Sequence, residues 1–98
     1  MMILEVAEVH VKEGTGADFE TAVYKSRDQY ISQTDGYISM EVQRGIENPN
    51  RYLLLIKWET LEAHTVNFRE SDVFPKHRDL ISPYFAKPPF VEHFELAE

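Results

Sequence analysis

The chain contains no cysteine. Disulfides, thiol nucleophiles, zinc–thiolate centres and iron–sulfur clusters are therefore excluded. Basic residues are few, 10 Lys and Arg against 17 Asp and Glu, for a net charge of −7. They are also scattered. A phosphate backbone is repelled by that balance, and no local Lys/Arg cluster relieves it, so nucleic acid is not an expected partner. The acidity itself reads as solubility. The apolar start, "MMILEVAEVHV", carries two glutamates and no basic leader. It fits neither a signal peptide nor a spanning helix, so the expectation is cytoplasmic residence away from membranes. Also missing are a phosphate-binding glycine loop, a Walker motif and a Ser-His-Asp arrangement, which leaves hydrolase and kinase chemistry without a foothold.

What is present is ordinary globular material. The 98 residues are 43% hydrophobic and 28% charged, which fits one domain, residues 1–98, with a single modest core. Met2 to Val11 alternates loosely and is rich in Val, Ile and Leu, predicting a strand that Gly14 and Gly16 end. From Ala17 to about Gln33, Phe19, Ala22, Val23, Ser26 and Tyr30 recur at three- and four-residue spacing, predicting an amphipathic helix started by Thr15 and Asp18. "DGY" (Asp35–Tyr37) is turn chemistry opening a second strand, "YISMEVQRGI", and "ENPN" (Glu47–Asn50) reads as a hairpin loop. The third strand, Arg51 to Glu59, is apolar on both faces, with Leu53 and Leu55 opposite Leu54, Ile56 and Trp58. Such a strand belongs in the middle of a sheet covered on both sides.

Thr60 is a plausible N-cap for a helix reaching about Glu70. Ser71 is expected to cap a further helical segment with Pro75 in its first turn, where a missing N–H costs nothing. "AKPP" breaks the pattern, and Phe90 to Leu96 alternates as a last strand. The order β-α-β-β-α-β is the α+β, ferredoxin-like plan: a four-stranded antiparallel sheet with helices on one face. The other face is also apolar here, and face-to-face homodimerisation is the simplest way to cover it.

At about 100° per residue, Leu61, His64 and Phe68 fall within roughly a 60° sector facing the sheet, with Asn67 on the flank. Trp58 ends the strand beneath. A pocket between sheet and helix, floored by Trp58 and edged by His64, Asn67 and Phe68, follows from this placement. Periodicity alone leaves His64 either a packed residue under the helix or a working group in that pocket, and Trp58 and Phe68 either core or wall. The remaining histidines, His10, His77 and His93, form no HxH or HxxxH pair. Glu8 with His10 and His93 with Glu95 share strand faces, but two ligands do not make a transition-metal site, and no metal is expected.

The stretch "RYLLLIKWETLEAHTVNFRESDVF", followed by "PPFVEHFE", resembles the antibiotic biosynthesis monooxygenase (ABM) domain family, from "VHVKEG" through "GYISMEVQR" to the last strand. The resemblance implies a ferredoxin-like protomer that pairs into a dimeric α/β barrel, with a pocket between sheet and helices. It implies oxygenation of small phenolic, quinol or polyketide-like molecules with no cofactor: no flavin, haem or metal. Such chemistry needs an electron-rich anion, a base to make it, and a dry pocket to hold it. On this resemblance His64 is the candidate catalytic base and Asn67 orients the substrate oxygen. Trp58, Phe68 and Tyr30 would be stacking walls. Two relatives give alternatives. Haem-degrading members use an Asn on the first strand and a Trp and His around the second helix. Here Ala7 falls at the first position, and Phe68 and Arg78 at the others, or Asn67 and His77 after a one-residue slip. Haem degradation is thereby disfavoured, with His77 the one matching group. An isomerase branch acts on a phosphorylated molecule; Lys25, Arg27 and Arg69 are the available cations. A non-catalytic, dimeric ligand-binding protein is the third possibility, since fold does not fix function.

Overall fold

A computed structural model describes residues 2–98. Strands β1 (Ile3–His10), β2 (Tyr37–Arg44), β3 (Arg51–Trp58) and β4 (Phe90–Glu95) form one antiparallel sheet in the order β2-β3-β1-β4. Helix α1 (Gly16–Gln29) follows β1, and helix α2 (Phe74–Ile81) precedes β4. This is the ferredoxin-like arrangement expected from the sequence. β3 returns between β1 and β2, so β1 and β3 occupy the centre, as the two-sided apolarity of β3 requires.

Period-two alternation assigns the faces. Glu5, Ala7 and Val9 of β1, with Tyr52, Leu54, Ile56 and Trp58 of β3, are buried under the helices. Phe19, Ala22, Val23 and Ser26 of α1 complete that layer. Leu4, Val6, Leu53 and Leu55 point to the other face, where Phe90 and Phe94 are exposed. Among the described residues no helix is long and apolar enough to cross a membrane.

Three local departures from the expected elements bear on the site. α1 stops at Gln29, and residues Ile31–Gln33 form a 3-10 turn that buries Ile31. Thr60 does cap the next helix, accepting the Ala63 N–H at 3.1 Å, but Ala63–Phe68 is π-helical, with an Arg69 N–H to His64 C=O bond of 3.0 Å across five residues. The wider turn leaves Leu61 exposed, contrary to a 3.6-residue period, and buries Ala63, His64 and Phe68. Ser71 does not cap α2: its hydroxyl donates to the Phe68 carbonyl, and the helix begins at Phe74 with Pro75 in its first turn. Gly36 permits the close approach of this layer to β2. Its φ is +94°, and a Cβ there would lie 2.5 Å from the Ala63 Cβ.

Candidate active site

Between the inner face of the sheet and the layer formed by the π-helical segment and α2 lies a cavity of about 130 Å3. Ala7, Val9, Leu54, Ile56, Phe68 and Ile81 give it an apolar wall, and Ile31 closes one side. Its polar groups are Glu5, His64, Arg69, His77 and Arg78.

Glu5 is the unexpected member. It occupies an inward position of β1 between Ile3 and Ala7, where alternation calls for an apolar side chain. Register explains how it is held. His93 is its direct partner across β4, and Trp58 is diagonal to it, because Ile3 pairs with Trp58 and Glu5 with Ile56. The Trp58 Nε1–H donates to Glu5 Oε1 at 3.0 Å. His64 comes down from the π-helical segment with Nε2 3.4 Å from the same Oε1, and its Nδ1 lies 2.8 Å from His93 Nε2. His64 also stacks on Trp58, with centroids 5.4 Å apart at 21°. Glu5 Oε2 has no protein partner, yet no partnerless buried side-chain oxygen occurs among the described residues. Since Glu5 lines the cavity, Oε2 is the oxygen that opens into it.

Burial controls the ionisation here. It raises the Glu5 carboxyl to about 7, against the Trp58 hydrogen bond and the Arg69 charge, which favour the carboxylate. It pushes His64 down to about 3, and the neighbouring Arg69, His93 and His77 act in the same direction. His93 is lowered by burial and by Arg69. At neutral pH the pair is therefore a carboxyl near its midpoint beside a neutral imidazole. Arg69, with no carboxylate partner among the described residues, supplies a positive charge to the cavity wall.

The second polar corner is on α2. His77 lines the cavity, and its Nδ1 is 2.6 Å from the hydroxyl of Ser26, a fully buried residue of α1. Burial lowers His77 to about 4. Phe68 stands between the two corners, edge-on to His77 with centroids 5.2 Å apart.

Of the residues singled out in the sequence, His64, Phe68 and His77 meet at the cavity. Trp58 is fully buried behind His64 and supports the site without lining the cavity. Asn67 and Tyr30 do not line the cavity. In the wide π turn Asn67 falls on the exposed side, and its amide donates to the Asp35 carbonyl at 3.1 Å. Tyr30 sits where α1 ends, with φ −127° and ψ −59°, so the spacing from Ser26 is interrupted and Ile31 takes the inward place. Sequence reading missed Glu5, Ser26 and His93 as site residues. For Glu5 the signal was available, as a carboxylate on the buried face of an alternating strand. For Ser26 and His93 only pairing across the fold reveals the role. Glu8 and His10 form the expected rim pair, at 3.5 Å. Among the described residues no group of three or more His, Asp or Glu could hold a metal ion.

A ferredoxin-like sheet with an acid–imidazole pair facing a helix-covered apolar cavity defines the class: an α+β protein with an enclosed site between sheet and helices. The chain belongs to the antibiotic biosynthesis monooxygenase family, whose model matches residues 2–80. It is 38% identical over 94 residues to the uncharacterized protein YczJ of Bacillus subtilis (strain 168), covering 96% of this chain and 98% of that one. A crystal structure from Bordetella bronchiseptica named for the same family is 38% identical, with a TM-score of 0.93 over 99% of this chain and 98% of that one. SnoaB, a cofactor-independent oxygenase from Streptomyces nogalater, shares the fold with a TM-score of 0.81 at 17% identity, covering 99% of this chain and 94% of that one.

Proposed function

We propose that this protein is a cofactor-independent monooxygenase acting on a single-ring phenol or quinol. The supporting observation is the buried Glu5 carboxyl, raised to about 7 by burial and set beside the His64 imidazole, at the wall of an apolar cavity of about 130 Å3. A cavity of roughly 150 Å3 accepts benzene, so one aromatic ring matches the volume and a tricyclic one does not. SnoaB, described as a cofactor-independent oxygenase, lends precedent for the chemistry on this fold.

A quinol can supply all the electrons that O2 needs. One ring C–H becomes C–OH and the quinol becomes a quinone. One oxygen atom enters the ring, and the other leaves as water with two hydrogens. The protein's part is to make and hold the anion. Glu5 Oε2 takes the substrate O–H proton, since a carboxylate with a pKa near 7 combines adequate basicity with adequate population at neutral pH. His64 packs its neutral ring beside Glu5, with Nε2 3.4 Å from Oε1, and connects the carboxyl to His93 through Nδ1, so the carboxyl with its imidazole neighbour rather than the isolated imidazole is the base. Arg69 offsets the substrate's negative charge, and the apolar wall excludes water. Haem degradation has no room in this cavity.

We further propose that the protein works as a homodimer. Leu4, Val6, Leu53, Leu55, Phe90 and Phe94 make the outer sheet face an apolar stripe that a second copy would cover. A gel-filtration mass of twice the 11.5 kDa chain is expected, falling to the monomer in Leu55→Glu. Oxygen-electrode measurements in metal-free buffer test the activity. Uptake with single-ring quinols and none with anthrones is expected. Uptake with neither class sinks the oxygenase reading, and substrate conversion without uptake would assign an isomerase instead.

A further inference from the structure

We infer that Ser26 locks His77 as a neutral Nε2–H tautomer, making His77 a hydrogen-bond donor that holds the substrate oxygen across the cavity from Glu5. The inference rests on the proposed use of the cavity for a phenol or quinol, but its first step does not.

That step is a count of donors and acceptors. Ser26 is fully buried in α1 and does not line the cavity, so its hydroxyl hydrogen has no water to meet. Serine within a helix commonly donates back to the carbonyl four residues earlier. No such bond forms here, and the single side-chain partner of Ser26 is His77 Nδ1 at 2.6 Å. A buried hydroxyl hydrogen left without an acceptor is costly, so the hydroxyl donates and Nδ1 accepts. A neutral imidazole with an accepting Nδ1 carries its proton on Nε2. His77 Nε2 has no protein partner, and no partnerless buried side-chain nitrogen occurs among the described residues, so this N–H opens to the space that His77 lines.

The chemical consequence follows from position. Glu5 belongs to β1 of the sheet and His77 to α2 of the layer that covers it, and both line the cavity together with Phe68, which stands edge-on to His77. A ring seated there presents one oxygen to the base and a second to a donor that is never itself ionised at neutral pH. A neutral donor stabilises the developing anion without competing to give up its proton. This fits a para-quinol, with hydroxyls at both ends, better than a simple phenol. His77 would touch substrate, whereas Ser26 acts only through His77 and is a positioning residue.

The test begins with the ligand-free, 15N-labelled protein. Two-bond 1H–15N correlation spectra should show His77 protonated at Nε2, with Nδ1 a hydrogen-bonded acceptor. A proton on Nδ1 overturns the inference. In Ser26→Ala the Nδ1 resonance should move to that of an unbonded nitrogen or split between tautomers; an unchanged ring spectrum also overturns it. Anaerobic binding of benzene-1,4-diol and of its near-isostere 4-methylphenol, which lacks the second hydroxyl, then reads the donor function, with fold integrity monitored by the 4-methylphenol arm. His77→Leu should lose about tenfold of the preference for the diol, the worth of one hydrogen bond to a polar oxygen, and His77→Gln, which keeps an N–H, should retain most of it. An unaltered preference in His77→Leu removes His77 from the site. Because the spectra require no turnover, failure of oxygen uptake and failure of the tautomer assignment are separate results.

Discussion

Glu5→Gln isolates the cost of burying this carboxyl. Glutamine has the same shape, keeps an oxygen for the Trp58 N–H at 3.0 Å and carries no charge at any pH. In the native protein the carboxyl titrates at about 7 against a reference of 4.5. Above pH 4.5 the unfolded chain therefore releases a proton that the folded chain retains, and stability falls as pH rises until the folded carboxyl also ionises. The full window is worth about 3 kcal/mol, of which roughly 2.5 kcal/mol falls between pH 5 and pH 8. Glu5 is only 5% exposed, so solvent screening takes little from this figure. His64 and His77 titrate in both proteins and cancel in the comparison. Urea unfolding at fixed protein concentration should find Glu5→Gln about 2.5 kcal/mol better, relative to wild type, at pH 8 than at pH 5. If Glu5 instead forms a charged pair with His64, the substitution breaks that pair. Glu5→Gln would then lose ground at pH 8, and the reasoning would be refuted.

Acid acts on the histidines in the opposite sense. His64 is held down to about 3 from 6.5, so its contribution is intact above pH 6.5 and is lost as pH falls, by about 3 kcal/mol at pH 4; thermal unfolding across that range should record it. Phe68→Ala removes a ring packed on Trp58, His77 and Phe74. It should cost about 3–5 kcal/mol in denaturant unfolding, and where the protein still folds it should admit bicyclic quinols that wild type refuses. Asn67→Ala removes a surface hydrogen bond to the Asp35 carbonyl and should change stability by no more than about 1 kcal/mol, leaving oxygen uptake unchanged.

Much of the fold was legible because burial in a sheet is periodic. The two-sided apolarity of Arg51–Trp58 placed β3 at the centre, and the alternation of its leucines assigned both faces correctly. The site was legible only where a helix kept its ideal period. From Phe19 to Ser26 it did, and every predicted buried residue is buried. At Ala63–Phe68 the π turn inserts an extra residue per hydrogen-bonded ring, which rotates Leu61 and Asn67 away while keeping His64 and Phe68 inward. No composition signal marks that turn. Glu5 was visible as a charge out of place, but its meaning depends on His93 and Trp58, which reach it from strands 88 and 53 residues away in the chain. The Ser26–His77 contact spans 51 residues and leaves no local trace at all.

The most direct measurement is oxygen consumption with a para-quinol of one ring, compared between wild type and His64→Ala in metal-free buffer at pH 7.5. The expected result is one O2 taken up per quinol converted by wild type, with the rate lowered by about 10²–10⁴ when the imidazole that holds Glu5 is removed. Absence of uptake by wild type, or uptake by His64→Ala at the wild-type rate, would contradict the assignment of this cavity as an oxygenase site built on the Glu5–His64 pair.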